Sequence, residues 1–219
     1  MTQGRFIALE GGEGAGKSTQ ARLLAEALRT RGLEVVVTRE PGGTGGAEAI
    51  RSLLLEGCTG ADGEKVGWMP RAEALLFAAA RSDHVERLIR PALARGAWVV
   101  CDRFLDSSRA YQGGGGGLSD ADIRTLHAIG SDGLLPDLTV LVEVAPEEAA
   151  RRLALRDVDG TDLIGSRDAA YHARVAAAFA HFAEEAPERF ARIDGNAGPE
   201  ETHARIVAAL DDLPSRIEP

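Results

Sequence analysis

An open α/β sheet of five parallel strands flanked by helices is the fold the sequence predicts, and three observations predict it. Strand-like apolar runs alternate with segments of helical periodicity from end to end. The first run, Phe6-Ile7-Ala8-Leu9, passes through a glycine-rich turn directly into a helical pattern. The third run, Trp98-Val99-Val100-Cys101, is almost wholly apolar, as a parallel strand covered on both faces must be.

The glycine-rich turn is Gly11-Gly12-Glu13-Gly14-Ala15-Gly16-Lys17-Ser18, followed by Thr19. It fits the pattern G-x-x-x-x-G-K-[ST] in the strand, loop and helix context that pattern needs, which makes the expected fold a P-loop NTPase fold. Glycines let successive backbone N–H groups curl around an anion, and the following helix adds the positive end of its dipole. Lys17 is then the point charge that reaches the β- and γ-phosphates, and Ser18 a hydroxyl ligand for Mg²⁺. Without that chemistry the segment is only a turn joining a strand to a helix.

At 219 residues and 44% hydrophobic, the chain is long enough for one α/β domain spanning residues 1–219. No apolar run approaches the roughly 20 residues that cross a bilayer, and the N-terminus lacks a signal-peptide pattern, so a cytoplasmic, unprocessed protein with no membrane partner is expected. Cys58 and Cys101 lie far apart with no C-x-x-C pairing, which suggests neither a disulfide framework nor a zinc site. A net charge of −9 argues against a nucleic-acid partner.

In chain order, the first helix ends near Gly32, and Leu33 to Thr38 reads as the second strand. Pro41 and four glycines hold residues 39–46 out of regular structure, a short helix covers Ala47 to Leu55, and Glu56 to Met69 reads as an exposed loop. Pro70 suits the first turn of a long helix to about Leu93. On it Glu73, Phe77, Arg81 and His84 share one stripe; by themselves Phe77 reads as core and Arg81 as a solvated charge. The third strand ends in Asp102-Arg103, where ligands of open α/β sheets bind, so Asp102 is a candidate to hold Mg²⁺ and Arg103 to neutralise a phosphate. Five glycines, Gly113 to Gly117, read either as a mobile loop over a site or as slack. Ser119 and Asp122 have the spacing of a capping box for a helix to Ile129. Leu138 to Val144 is the fourth strand, and Pro146 opens a helix to about Leu155. Residues 155–167 read as a short lid or as an ordinary exposed connection. An Ala-rich helix from Asp168 to about Glu185, a strand at Phe190 to Asp194, and a helix from Pro199 to Leu213 complete the chain.

No N-K-x-D-like guanine reader is present, which disfavours a switch GTPase. The segments Glu10-Gly11-Gly12-Glu13-Gly14-Ala15-Gly16-Lys17-Ser18-Thr19, Thr38-Arg39-Glu40-Pro41-Gly42-Gly43-Thr44, Arg51-Ser52-Leu53-Leu54-Leu55, Asp102-Arg103-Phe104 and Ala110-Tyr111-Gln112-Gly113 together resemble bacterial thymidylate kinase over nearly the whole chain. The resemblance implies transfer of the γ-phosphoryl of ATP to dTMP, with Mg²⁺, by a homodimer. It further implies Phe77 as the ring that stacks on thymine, Arg81 beside the base, and Arg51 and Arg103 on the dTMP phosphate. Glu13 would face the sugar 3′-hydroxyl, with Ser107, Ser108, Tyr111 and Gln112 along base and sugar. Thymine differs from uracil by one methyl group, worth about 1–3 kcal/mol, so some dUMP activity is expected.

The sequence departs from the family at one place. Members without a basic residue in the phosphate loop usually carry a compensating arginine in the lid near a D-R-x-E pattern, and here that stretch reads Asp162-Leu163-Ile164-Gly165. Arg156 is the expected substitute, with Arg167 and the more distant Arg152 as alternatives. Two other readings stay open: a kinase for another nucleoside monophosphate or a deoxynucleoside, and a nucleotide-binding regulatory protein without transfer activity.

Overall fold

A computed structural model describes residues 4–59, 63–156 and 163–212, with Arg156 described by its backbone alone. Five parallel strands form the expected sheet: β1 (Phe6–Glu10), β2 (Val35–Arg39), β5 (Trp98–Asp102), β6 (Leu138–Glu143) and β7 (Phe190–Asp194), in the order β2-β5-β1-β6-β7. Strand side chains alternate between two helical layers. Ile7 and Leu9 pack with Leu24 and Leu28 of α1 (Lys17–Thr30) and Ile206 of α9 (Pro199–Asp211). Phe6 and Ala8 pack with Val85, Ile89 and Ile123 on the opposite face. Because β1 and β5 are neighbours with Leu9 opposite Asp102, the phosphate loop and the Asp102-Arg103 pair emerge side by side at one sheet edge.

Three segments differ from the sequence-based expectation. Residues 56–69 are not all loop: Cys58–Thr59 (β3) and Lys65–Val66 (β4) pair antiparallel, and Trp68 Nε1 donates to Leu53 O at 2.8 Å, tying the ribbon to α2 (Gly45–Glu56). The long helix is interrupted between α3 (Pro70–His84) and α4 (Arg90–Ala94) by a π-helical stretch, Val85–Ile89. Pro91 explains it: with no N–H and a ring that would strike the carbonyl four residues back, it widens the turn, and Arg90 N–H bonds Val85 O instead.

The glycine run is neither slack nor an open loop. Arg109–Gly115 continues α5 (Leu105–Ser108) as a π-helix packed on α8 (Ala169–Glu185). A Cβ on Gly115 would lie 2.5 Å from Tyr171 Cε2 and 2.9 Å from Val175 Cγ2, so backbone and helix touch where any side chain would wedge them apart. Ser119 caps α6 (Asp120–Ser131) as expected, accepting from Asp122 N at 3.1 Å. Of the expected lid, residues 157–162 lie outside the described residues; α7 (Pro146–Arg156) leads into it.

Candidate active site

The phosphate loop leaves β1 and turns into α1 through Gly14 (φ 72°) and Gly16 (φ 87°), left-handed conformations that favour glycine. Gly16 is the N-cap of α1 and offers no side chain, so the first helical N–H groups stay available to an anion. Lys17 Nζ donates to Gly12 O at 2.7 Å, inside the curl of the loop. Burial, and next the Arg103 guanidinium, pull its pKa down to about 8, a poise that an anionic ligand would reverse. Ser18 Oγ donates to Asp102 Oδ2, bringing together two hard oxygens that suit Mg²⁺.

Arg103 sits at φ 71°, an uncommon conformation for a residue with a side chain. Its guanidinium donates to Gly11 O and Ser107 Oγ, each at 3.2 Å, and to Glu13 Oε1 at 2.5 Å. Tyr111 OH donates to the same Glu13 oxygen at 3.0 Å, and the guanidinium lies 4.9 Å from the Tyr111 ring centroid. What holds this turn is Glu10, the last residue of β1, to which the sequence reading gave no role. It is fully buried and accepts from Phe104 N (2.8 Å), Ser107 N (2.9 Å) and Ser107 Oγ (2.5 Å). Burial, then the nearby Asp106 charge, push its pKa up to about 7. A lone carboxylate at the end of an otherwise apolar strand was the available signal.

Glu13, Lys17, Ser18, Arg51, Phe77, Asp102 and Arg103 line one cavity of about 550 Å³. Arg51 Nη1 donates to Pro41 O at 2.8 Å. A smaller pocket adjoins it, sharing Glu40, Phe77, Arg103 and Ile164, and adds Arg81, Ser107, Ser108, Tyr111 and Gln112. Phe77 is half-buried against the third core cluster, so it serves core and cavity together.

Arg81 is not a solvated charge. It is 3% exposed and donates to Glu40 Oε2 (2.7 Å), Phe104 O (3.0 Å) and Ser108 Oγ (2.9 Å). His84, fully buried, bridges Glu40 Oε1 (3.1 Å) and Thr38 Oγ1 (2.7 Å). Neither Glu40 nor His84 was assigned from sequence, because their partners lie about forty positions away.

Of the lid arginines, Arg152 is the one the described residues place at the phosphate loop. It lines the main cavity and also a second cavity of about 390 Å³ bounded by Ala15, Gly16, Thr19, Gln20 and residues 196–199. Glu148 Oε1 holds its Nε at 2.7 Å, and Gly195 O holds Nη2 at 2.8 Å. Arg167 is engaged elsewhere, with Glu73 and with Tyr171 OH (2.6 Å). The Arg156 side chain lies outside the described residues.

Comparison with known proteins decides the family. The thymidylate kinase family model matches residues 9–206. This chain belongs to the thymidylate kinase family. It is 59% identical over 210 residues to the thymidylate kinase of Rhizorhabdus wittichii, covering 96% of this chain and 98% of that one. It is 51% identical to the Rhodopseudomonas palustris thymidylate kinase, covering 95% and 89%. The crystal structure of thymidylate kinase from Ehrlichia chaffeensis superposes with a TM-score of 0.75 at 31% identity, over 95% of this chain and 99% of that one. The sheet order and phosphate loop described above are thus those of a family member, and the expected family and fold class stand.

Proposed function

We propose that this protein transfers the γ-phosphoryl group of ATP to dTMP, giving ADP and dTDP, in the cavity between the phosphate loop and the Asp102-Arg103 turn. The observation that carries the reading is continuity. A cavity lined by Lys17, Arg51 and Arg103 opens into a pocket walled by the Phe77 ring and the polar groups of Arg81, Ser108 and Gln112. A triphosphate tail seated on Gly11 to Thr19 would face a monophosphate held by Arg51 and Arg103, with the pyrimidine on Phe77, while the donor nucleoside would occupy the second cavity beside Arg152.

The acceptor phosphate already carries an ionised oxygen, so no side chain has to remove a proton. Catalysis is positioning and neutralisation of charge by Lys17, Arg103 and Arg152. Ser18 and Asp102 would hold Mg²⁺, which neutralises charge on the phosphate oxygens when bound. Glu13 and Tyr111, joined to each other and to Arg103, form the wall on which a deoxyribose would rest.

A homodimer and a cytoplasmic location belong to the same reading. Leu75 on α3 and Ile129 on the neighbouring α6 are exposed, an apolar surface suited to a second copy, which sedimentation would reveal. Both cysteines are free thiols, as a reducing compartment requires. Among the described residues no helix is long and apolar enough to cross a membrane. The activity is tested by ADP release with ATP, Mg²⁺ and each of dTMP, dUMP, dCMP, AMP, GMP and thymidine. Turnover highest with dTMP, with weaker dUMP use, is expected; equal or greater turnover with another acceptor, or none with dTMP, would refute it.

A further inference from the structure

The small pocket is lined by two polar side chains, Arg81 and Gln112, and one of them is set from behind. Arg81 uses Nε and Nη2 on Glu40, Phe104 and Ser108, which leaves Nη1 as its remaining donor. Gln112, 2% exposed, donates Nε2 to Glu73 Oε1 at 2.9 Å. Its Oε1 has no partner among the described residues, is not among the buried unpaired atoms, and belongs to a side chain that lines the pocket. An amide can turn over, exchanging its oxygen and nitrogen, unless a neighbour forbids it. Here the neighbour does. Glu73 is 5% exposed, and its other oxygen is taken by Arg167 Nη2 in an ion pair. A carboxylate so paired only accepts, so Gln112 must give it the NH₂ end.

We propose that Glu73 is a positioning residue for base selection: by taking the Gln112 NH₂ it turns the Gln112 carbonyl oxygen toward the acceptor's pyrimidine. The pocket then presents a donor on Arg81 and an acceptor on Gln112, complementary to the O4 and N3–H edge of thymine and uracil. Cytosine, with an amino group and a bare ring nitrogen there, meets donor with donor and acceptor with acceptor. Nothing in this selection reads the thymine methyl group. The inference rests on dTMP occupying this pocket, as proposed above.

Glu73→Gln tests it, since a glutamine at 73 offers either end of its amide and frees Gln112 to turn. The readout is kcat/KM, or a competitive inhibition constant where turnover is too slow, for dTMP, dCMP and dUMP. The dTMP to dCMP ratio is expected to fall about tenfold or more, while the dTMP to dUMP ratio stays within about twofold. A fall below about threefold in the first ratio, or matching falls in both, would overturn the role of Glu73; a merely structural role lowers all three substrates alike. Wild-type protein inert toward dTMP would instead refute the function reading itself. Should the variant fail to fold, a crystal structure of the wild-type protein with dTMP decides. Gln112 Oε1 beside ring N3 and Nε2 on Glu73 is expected, and the reverse orientation would overturn the proposal.

Discussion

Removing the Glu10 carboxylate should loosen the turn that aims Arg103. In a Glu10→Ala protein the N–H groups of Phe104 and Ser107 lose their acceptor where both residues are buried. Each stranded donor costs about 1–3 kcal/mol, so a loss of roughly 3 kcal/mol is expected before any cavity contribution. The left-handed Arg103 backbone, itself costing about 1–2 kcal/mol, is the conformation those bonds help to impose, so the turn should relax. Urea denaturation measures the first effect. Steady-state kinetics measures the second, as a rise of about tenfold or more in KM for dTMP at moderate denaturant-free stability loss. Glu10→Gln keeps an acceptor oxygen for both N–H groups and should recover most of each. A Glu10→Ala protein as stable and as tight for dTMP as the wild type would refute the claim that Glu10 organises the turn.

Further outcomes follow from other contacts. The Glu10 pKa is raised in the fold, so it binds a proton more readily folded than unfolded; the associated stability is full below about pH 4.5 and is lost as pH rises through about 7. Glu10→Gln should lack that segment of the stability profile, a difference on the order of 3 kcal/mol at most, seen in paired denaturation curves from pH 4.5 to 8. Gly115→Ala should destabilise by about 1–3 kcal/mol through collision with Tyr171 and Val175. Gly113→Ala, whose Cβ would approach only Leu118 O at 3.6 Å, should be neutral or slightly stabilising, and equal effects at the two positions would contradict a packed seam. Arg152→Ala should raise KM for ATP more than KM for dTMP, and an unchanged ATP KM would place the donor elsewhere.

The sheet, its strand ends and the phosphate loop were legible because each is a local pattern: an apolar run, a glycine spacing, a helix period. What escaped the sequence depends on partners distant in the chain. Arg81 looks solvated until β2 delivers Glu40 beside it, and Glu10 looks incidental until the Phe104 to Ser107 turn closes on it from more than ninety positions away. The five glycines show the same limit, since conformational freedom and close packing demand the same residue and only Tyr171 and Val175 of α8 distinguish them. Among the lid arginines, proximity in sequence to the family's pattern favours Arg156, whose side chain lies outside the described residues, while the carbonyls at residues 195 and 197 hold Arg152 at the phosphate loop.

The account depends most on the Lys17 ammonium acting upon the transferred phosphoryl group rather than upon acceptor binding. Pre-steady-state turnover and dTMP affinity measured side by side in wild type and Lys17→Ala address this directly. A fall in turnover of about a thousandfold with dTMP affinity within about threefold is predicted. Near-normal turnover in the variant, or a loss confined to dTMP binding, would contradict it.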